Sequence, residues 1–292
     1  MFKQLIKRHK LLSLLTVSIA LGVSIFFIKS PYTSSQDNSS ITPTLFIHGY
    51  KGGPGSFNTM IDRLEDNQLG EKEMTVRVSS KGKIMMRGRF SAEQHPFIQV
   101  IFHDNRASLT NQTLWLQEIM HKLKVDYGIQ QVNLVGHSMG GLAAANFMAQ
   151  KDSSLPTVEK LIVMGSPFKG IDKEEYFDIN TGEALTDLRP DAQLLSRLSG
   201  NKDSFPSHLK VLAIAGAIDA KYTNENADTI VKQKNYDGGD GLVSISSALG
   251  IKEVVPANNY HEVIVRDVEA THSGLHEHPS VDKEVATFLW KK

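Results

Sequence analysis

Ser138 stands at the centre of Gly136-His137-Ser138-Met139-Gly140, a G-x-S-x-G pattern set between an apolar run, Val132 to Val135, and a small-residue stretch, Met139 to Gln150. A chain that leaves a strand and enters a helix at one residue bends so tightly that glycine is needed on either side, and Gly136 and Gly140 fill those places. Such a nucleophile elbow exposes the serine hydroxyl in front of the positive end of the following helix. The chemistry it offers is attack on a carbonyl carbon to form an acyl-enzyme. Glycine and serine are common enough for the five-residue pattern to arise by chance as an inert turn, so the flanking strand and helix carry the reading.

The elements that would position this serine alternate between β and α. Thr44 to Ile47 reads as a short strand leading into the glycine-rich loop Lys51-Gly52-Gly53-Pro54-Gly55, followed by a helix over Ser56 to Asn67. Met74 to Ser79 and Ile84 to Arg87 read as strands paired around Lys81-Gly82, and Phe97 to Phe102 as another strand. Leu109 to Val125 has helical spacing, with Leu116, Ile119, Met120 and Leu123 on one face. Lys160 to Met164, Leu209 to Ala215 and Tyr260 to Val265 continue the sheet, and Val281 to Trp290 forms a closing helix. This alternation implies an α/β fold with a mostly parallel sheet and helices on both faces. Phe168 to Pro206 is polar, irregular and too long for a plain connection, which predicts a cap over the site with a helical piece at Asp191 to Leu198.

The chain of 292 residues has room for one large α/β domain, expected over residues 44–292. Lys plus Arg equals Asp plus Glu at 32 each, so no net field favours nucleic acid as a partner. The absence of cysteine excludes disulfides, thiolate metal sites and a cysteine nucleophile. At the N-terminus, Lys3, Lys7, Arg8 and Lys10 precede an uncharged stretch from Leu11 to Ile28, whose length as a helix, about 27 Å, approaches one bilayer crossing. Residues 1–30 are therefore expected to be a signal anchor or signal peptide, the uncleaved anchor being preferred because no clean cleavage site follows Ile28. The positive cluster would stay inside and send the rest of the chain outward, with residues 31–43 as a flexible linker.

Five segments together resemble the α/β-hydrolase superfamily, in particular its lipase-like and esterase-like members, and within it a group of exported bacterial proteins assigned as cell-surface hydrolases without a known substrate. They are Phe46-Ile47-His48-Gly49-Tyr50, Gly136 to Gly141, Gly165-Ser166-Pro167-Phe168, Gly239-Asp240-Gly241-Leu242-Val243 and His272-Ser273-Gly274-Leu275-His276-Glu277. The resemblance implies an α/β-hydrolase fold with a cap insertion and a serine, acid, histidine order along the chain.

A serine hydroxyl needs a base, and the base needs an acid to hold its tautomer. Of the histidines after Ser138, His208 precedes a strand and His261 lies within one, which leaves His272, His276 and His278 in the last loop. His272-Ser-Gly-Leu resembles the His-x-Gly-Leu of small bacterial lipases, so His272 is preferred as base over His276. Asp240 lies in a segment resembling the acid-bearing Asp-Gly-Leu-Val of such lipases, with Asp237 and Asp219 as alternatives and a simple Asp-Gly turn as its structural reading. The oxyanion hole would take the N–H of Met139 and, from the family's His-Gly-x pattern, that of Tyr50. His48 and His137 are expected to be structural, the latter packed or bonded within the elbow.

His272, His276 and His278 with Glu277 also suggest a zinc site, but Gly274 and Pro279 oppose the helix that such spacing requires, and no metal or other cofactor is expected. The expected activity is serine hydrolysis of a small-molecule or lipid carboxylic ester at the outer cell surface. The alternatives are an amidase or acyltransferase using the same triad, and a non-catalytic surface binding protein on a hydrolase fold.

Overall fold

A computed structural model of the chain describes residues 38–91, 95–150, 152–200, 205–218 and 238–291. Its centre is an eight-stranded sheet in the order β3-β2-β4-β1-β5-β6-β7-β8. The strands are β1 (Thr44–Ile47), β2 (Glu71–Val78), β3 (Ile84–Gly88), β4 (Pro96–Phe102), β5 (Gln131–His137), β6 (Thr157–Met164), β7 (Lys210–Ala217) and β8 (Tyr260–Arg266). All neighbouring pairs are parallel except β2 with the edge strand β3, the hairpin expected around Lys81-Gly82.

Because strand side chains alternate, each central strand feeds two cores. Leu45 and Ile47, Leu161 and Val163, and Val211 and Ala213 face one side, which α2 (Leu109–Tyr127) and α3 (Met139–Met148) cover. Phe46, Ile162 with Met164, and Leu212 with Ile214 face the other side, which α1 (Gly55–Asp66) and α8 (Pro279–Trp290) cover. The predicted face of α2 is buried at Leu116, Ile119, Met120 and Leu123. That helix starts where the Ser108 side chain accepts from the Asn111 N–H and stops at left-handed Gly128, so both ends have a local cause.

Between β6 and β7 the described residues form α4 (Glu174–Asp178), α5 (Ala184–Leu188) and α6 (Gln193–Gly200). Ties to the body hold this segment. Tyr50 Oη donates to Thr181 O at 2.6 Å and accepts from Thr181 N at 3.1 Å, Lys51 Nζ donates to Asn180 Oδ1, and the Asp187 carboxylate accepts from Leu109 N at 2.7 Å. Three short elements between β7 and β8 had no periodic signal in the sequence: α7 (Ile245–Ala248), capped by Ser244, and 3-10 turns over Gly250–Glu253 and Ala257–Asn259. Each is about one turn long, too short for a repeating apolar pattern.

Residues 1–37, which contain the expected signal anchor and most of the linker, lie outside the described residues. Among the described residues no helix is long and apolar enough to cross a membrane.

Candidate active site

Parallel strands point their carboxyl ends the same way, and loops from several strands converge there. β5 ends at His137, and Ser138 takes φ 54° and ψ −127° before α3 begins at Met139. A positive φ is strained for a residue with a side chain. The surroundings hold it: Ser138 N donates to Met164 O at 2.9 Å, and Gly141 N donates to Ser138 O at 3.0 Å. Both elbow glycines are required by contact. A Cβ on Gly136 would stand 2.5 Å from Gly141 Cα, and one on Gly140 would meet the carbonyl oxygens of Ile47 and His48.

Ser138, His272 and Asp240 come from separate loops and meet. Ser138 Oγ donates to His272 Nε2 at 2.9 Å, and His272 Nδ1 donates to Asp240 Oδ2 at 2.7 Å. A carboxylate can only accept, so the proton sits on Nδ1 and leaves Nε2 as the acceptor facing the serine. Asp240 is 2% exposed and uses its other oxygen within its own loop, where Oδ1 accepts from Leu242 N at 2.9 Å and Val243 N at 2.7 Å. The turn contacts and the contact with His272 therefore coexist in one side chain. The alternatives Asp219 and Asp237 lie outside the described residues.

The other histidines are engaged elsewhere. His276 Nδ1 bonds Glu277 Oε1 at 2.9 Å, and the His276 carbonyl accepts from Arg63 at 3.2 Å. His278 Nδ1 accepts from Ser280 N at 3.2 Å at the start of α8, a helix cap that the sequence reading did not anticipate. Among the described residues no group of three His, Asp or Glu side chains is gathered so as to hold a metal ion.

The loop after β1 lies against the elbow. A Cβ on Gly49 would fall 2.7 Å from Ser138 Cβ and 3.2 Å from Met139 N, so glycine there lets the two loops touch. Met139 opens α3, where a backbone N–H has no partner within the helix, and Tyr50 follows Gly49 directly. His48 is structural by its bonds: Nδ1 donates to Gly49 O at 2.9 Å and Nε2 accepts from Phe102 N at 3.0 Å. Burial holds its pKa below the ordinary value.

His137 is packed, as expected, but its hydrogen bond is not within the elbow. Its Nε2 reaches outside the elbow, 2.8 Å from the carbonyl oxygen of His272. Burial above all, then the neighbouring His272 and His276, push its pKa well below the ordinary value. Gly165 opens one of the segments that carry the resemblance, whereas Gly216 and Arg63, which also support this site, were not singled out from the sequence. Gly165, at φ 58°, lies where a Cβ would be 3.0 Å from Asp240 Oδ2 and 3.3 Å from His272 Nδ1. Gly216 lies where a Cβ would be 2.9 Å from Asp240 Cβ. Arg63, on α1, pairs with Asp282 and bonds the His276 carbonyl, tying the last loop and last helix to the body. Glycines at the ends of β6 and β7 were a readable signal for the first two. Arg63 had none, because its partner lies 219 residues away.

Residues 31–292 match a protein family described as alpha/beta hydrolase of unknown function (DUF915). The chain is similar to a Listeria innocua gene product of known structure, with 28% identity, a TM-score of 0.71, and coverage of 86% of this chain and 95% of the other. A Lactobacillus plantarum structure provisionally described as a cell surface hydrolase has 20% identity and a TM-score of 0.62, over 85% of this chain and 90% of that one. A 1-acylglycerol-3-phosphate O-acyltransferase of Saccharomyces cerevisiae is 24% identical over 220 residues, 68% of this chain. That match takes in 55% of the yeast protein, so the chain spans about half the length of this relative.

Proposed function

The chain belongs to the alpha/beta hydrolase family DUF915, and from that premise we propose that it is a serine hydrolase cleaving carboxylic esters through an acyl-enzyme. One observation carries the reading: the unbroken path from Ser138 Oγ through His272 to the buried Asp240, at 2.9 and 2.7 Å.

On this reading His272 Nε2 takes the hydroxyl proton as Oγ attacks the ester carbon, and Asp240 stabilises the imidazolium through Nδ1–H. The N–H groups of Met139 and Tyr50 receive the negative charge on the carbonyl oxygen. His272 then protonates the leaving alkoxide; water enters and attacks the acyl carbon as the same imidazole takes its proton, and that proton passes to Ser138 Oγ as the Oγ–acyl bond breaks and the carboxylic acid departs. Residues 168–206 are proposed as the cap, which Thr181 ties to the Tyr50 side chain. Residues 1–30 are proposed to deliver the enzyme to the outer face of the membrane and to anchor it there.

The test is a fluorophosphonate probe together with a p-nitrophenyl ester series of increasing acyl length. Wild type should label and turn over, and Ser138→Ala should do neither, with turnover lower by roughly 10⁴- to 10⁶-fold. Equal labelling of both proteins ends the proposal. The name of the yeast relative favours acyl transfer as a second reading. The acyl-enzyme is common to both, so analysis of products with and without a lysophospholipid acceptor separates them.

A further inference from the structure

We infer that His137 is a positioning residue for the base, and that it acts mainly in the second half of the reaction, when the acyl-enzyme is hydrolysed. The inference rests on the serine-hydrolase reading above.

His272 is fixed at three points besides its contact with the serine. Its N–H donates to Asp240 O at 2.8 Å, its Nδ1 donates to Asp240 Oδ2, and its carbonyl faces His137 Nε2 at 2.8 Å. A carbonyl oxygen only accepts, so His137 carries its proton on Nε2. The first two points tie the base to the acid's loop. The third ties it to the strand that bears the nucleophile, one residue before Ser138. His137 is 6% exposed, and its ring lies against both His272 and His276, with centroids 4.8 Å away in each case. Glu277 and Arg63 in turn hold the His276 ring and carbonyl.

These contacts close a loop: Ser138 Oγ to His272 Nε2, through the His272 backbone to its carbonyl, and through His137 back to Ser138. Before acylation two hydrogen bonds set the distance between base and nucleophile. Once Oγ is esterified it has no proton to donate, and the Ser138 to His272 bond is gone. From then until water has attacked, the direct tie between the base's loop and β5 is the bond from His137. A misplacement of about 1 Å in a base costs on the order of 100-fold in rate, so losing this tie slows deacylation more than acylation.

The experiment compares His137→Met with His137→Gln, side chains of similar length of which only glutamine carries an amide N–H where Nε2 stood. His137→Asn, whose amide is too short to reach the carbonyl, is a second variant without the bond. With p-nitrophenyl butyrate as probe, the Met and Asn variants should lose about 10-fold in kcat and lower KM in step. Both should show a burst of about one nitrophenol per site, and fluorophosphonate labelling, which needs only acylation, should stay within about threefold of wild type. His137→Gln should recover kcat to within about threefold.

Unchanged kcat in the Met and Asn variants overturns the inference, as does an equal fall in labelling and turnover or a Gln variant as slow as Met. If instead Ser138→Ala keeps the activity, the hydrolase reading itself has failed.

Discussion

Asp240 divides its carboxylate between two tasks, and substitutions at this residue can separate them. Oδ1 closes the turn over Leu242 and Val243, and Oδ2 holds the His272 ring. Asparagine keeps an oxygen for the turn but places an amide against Nδ1, which removes the negative charge and favours the wrong tautomer. Asp240→Asn should therefore melt within a few degrees of wild type while kcat falls by about 10⁴-fold. Asp240→Ala should lose the activity and also about 1–2 kcal/mol of stability as the turn amides go unpaired. Melting temperature and kcat measured on both variants decide the point.

At the scale of elements, the elbow is a contact problem that glycine solves. Gly140→Ala would drive a methyl into the carbonyls of Ile47 and His48, and β1 cannot yield without breaking its ladders to β4 and β5. Overpacking of this kind costs about 1–3 kcal/mol. Gly49→Ala touches Ser138 Cβ and lies near Met139 N, so its principal loss should be in kcat, by an order of magnitude or more. Denaturant midpoints and kcat for the two variants should thus fall in opposite proportion.

Much of this arrangement could be read in the sequence. Strand and helix periods are local, and so are elbow glycines, which is why β1, β4, β5, α2 and α3 lie within a few residues of expectation. The residues brought together at Ser138 could be placed because the elbow and the two loop segments each carry a short recognisable pattern. Arg63, the His278 cap and the reach of His137 had no such signal. Each acts through a contact set only by tertiary packing or by loop geometry, and the partners of Arg63 and His137 are more than a hundred residues distant.

For the whole molecule, three buried imidazoles couple stability to pH. Burial is the largest cause of the lowered pKa of His48, His137 and His276, so the folded protein resists protonating them while the unfolded chain accepts protons near the ordinary value of 6.5. The unfolded state then binds more protons, and stability rises with pH. Above about pH 6.5 both states are neutral at these rings and the stability is fully present. As pH falls from there towards the folded-state values it is lost, by up to about 1.4 kcal/mol per pH unit for each ring. Urea midpoints should therefore be level from pH 8 to 7 and decline steeply towards pH 5, with a shallower decline in His137→Gln. A decline of unchanged slope in that variant would remove His137 from the account.

His272 has lent its amide, its ring and its carbonyl to neighbours, and keeps no polar group in reserve. In the wild-type protein, with every tie made, thermal loss of this posture is expected to accompany unfolding of the strand and loops that supply the ties. Heating should consequently sort a sample into intact enzymes and wreckage, with no sluggish species between, and the activity that survives would count molecules rather than measure their fatigue.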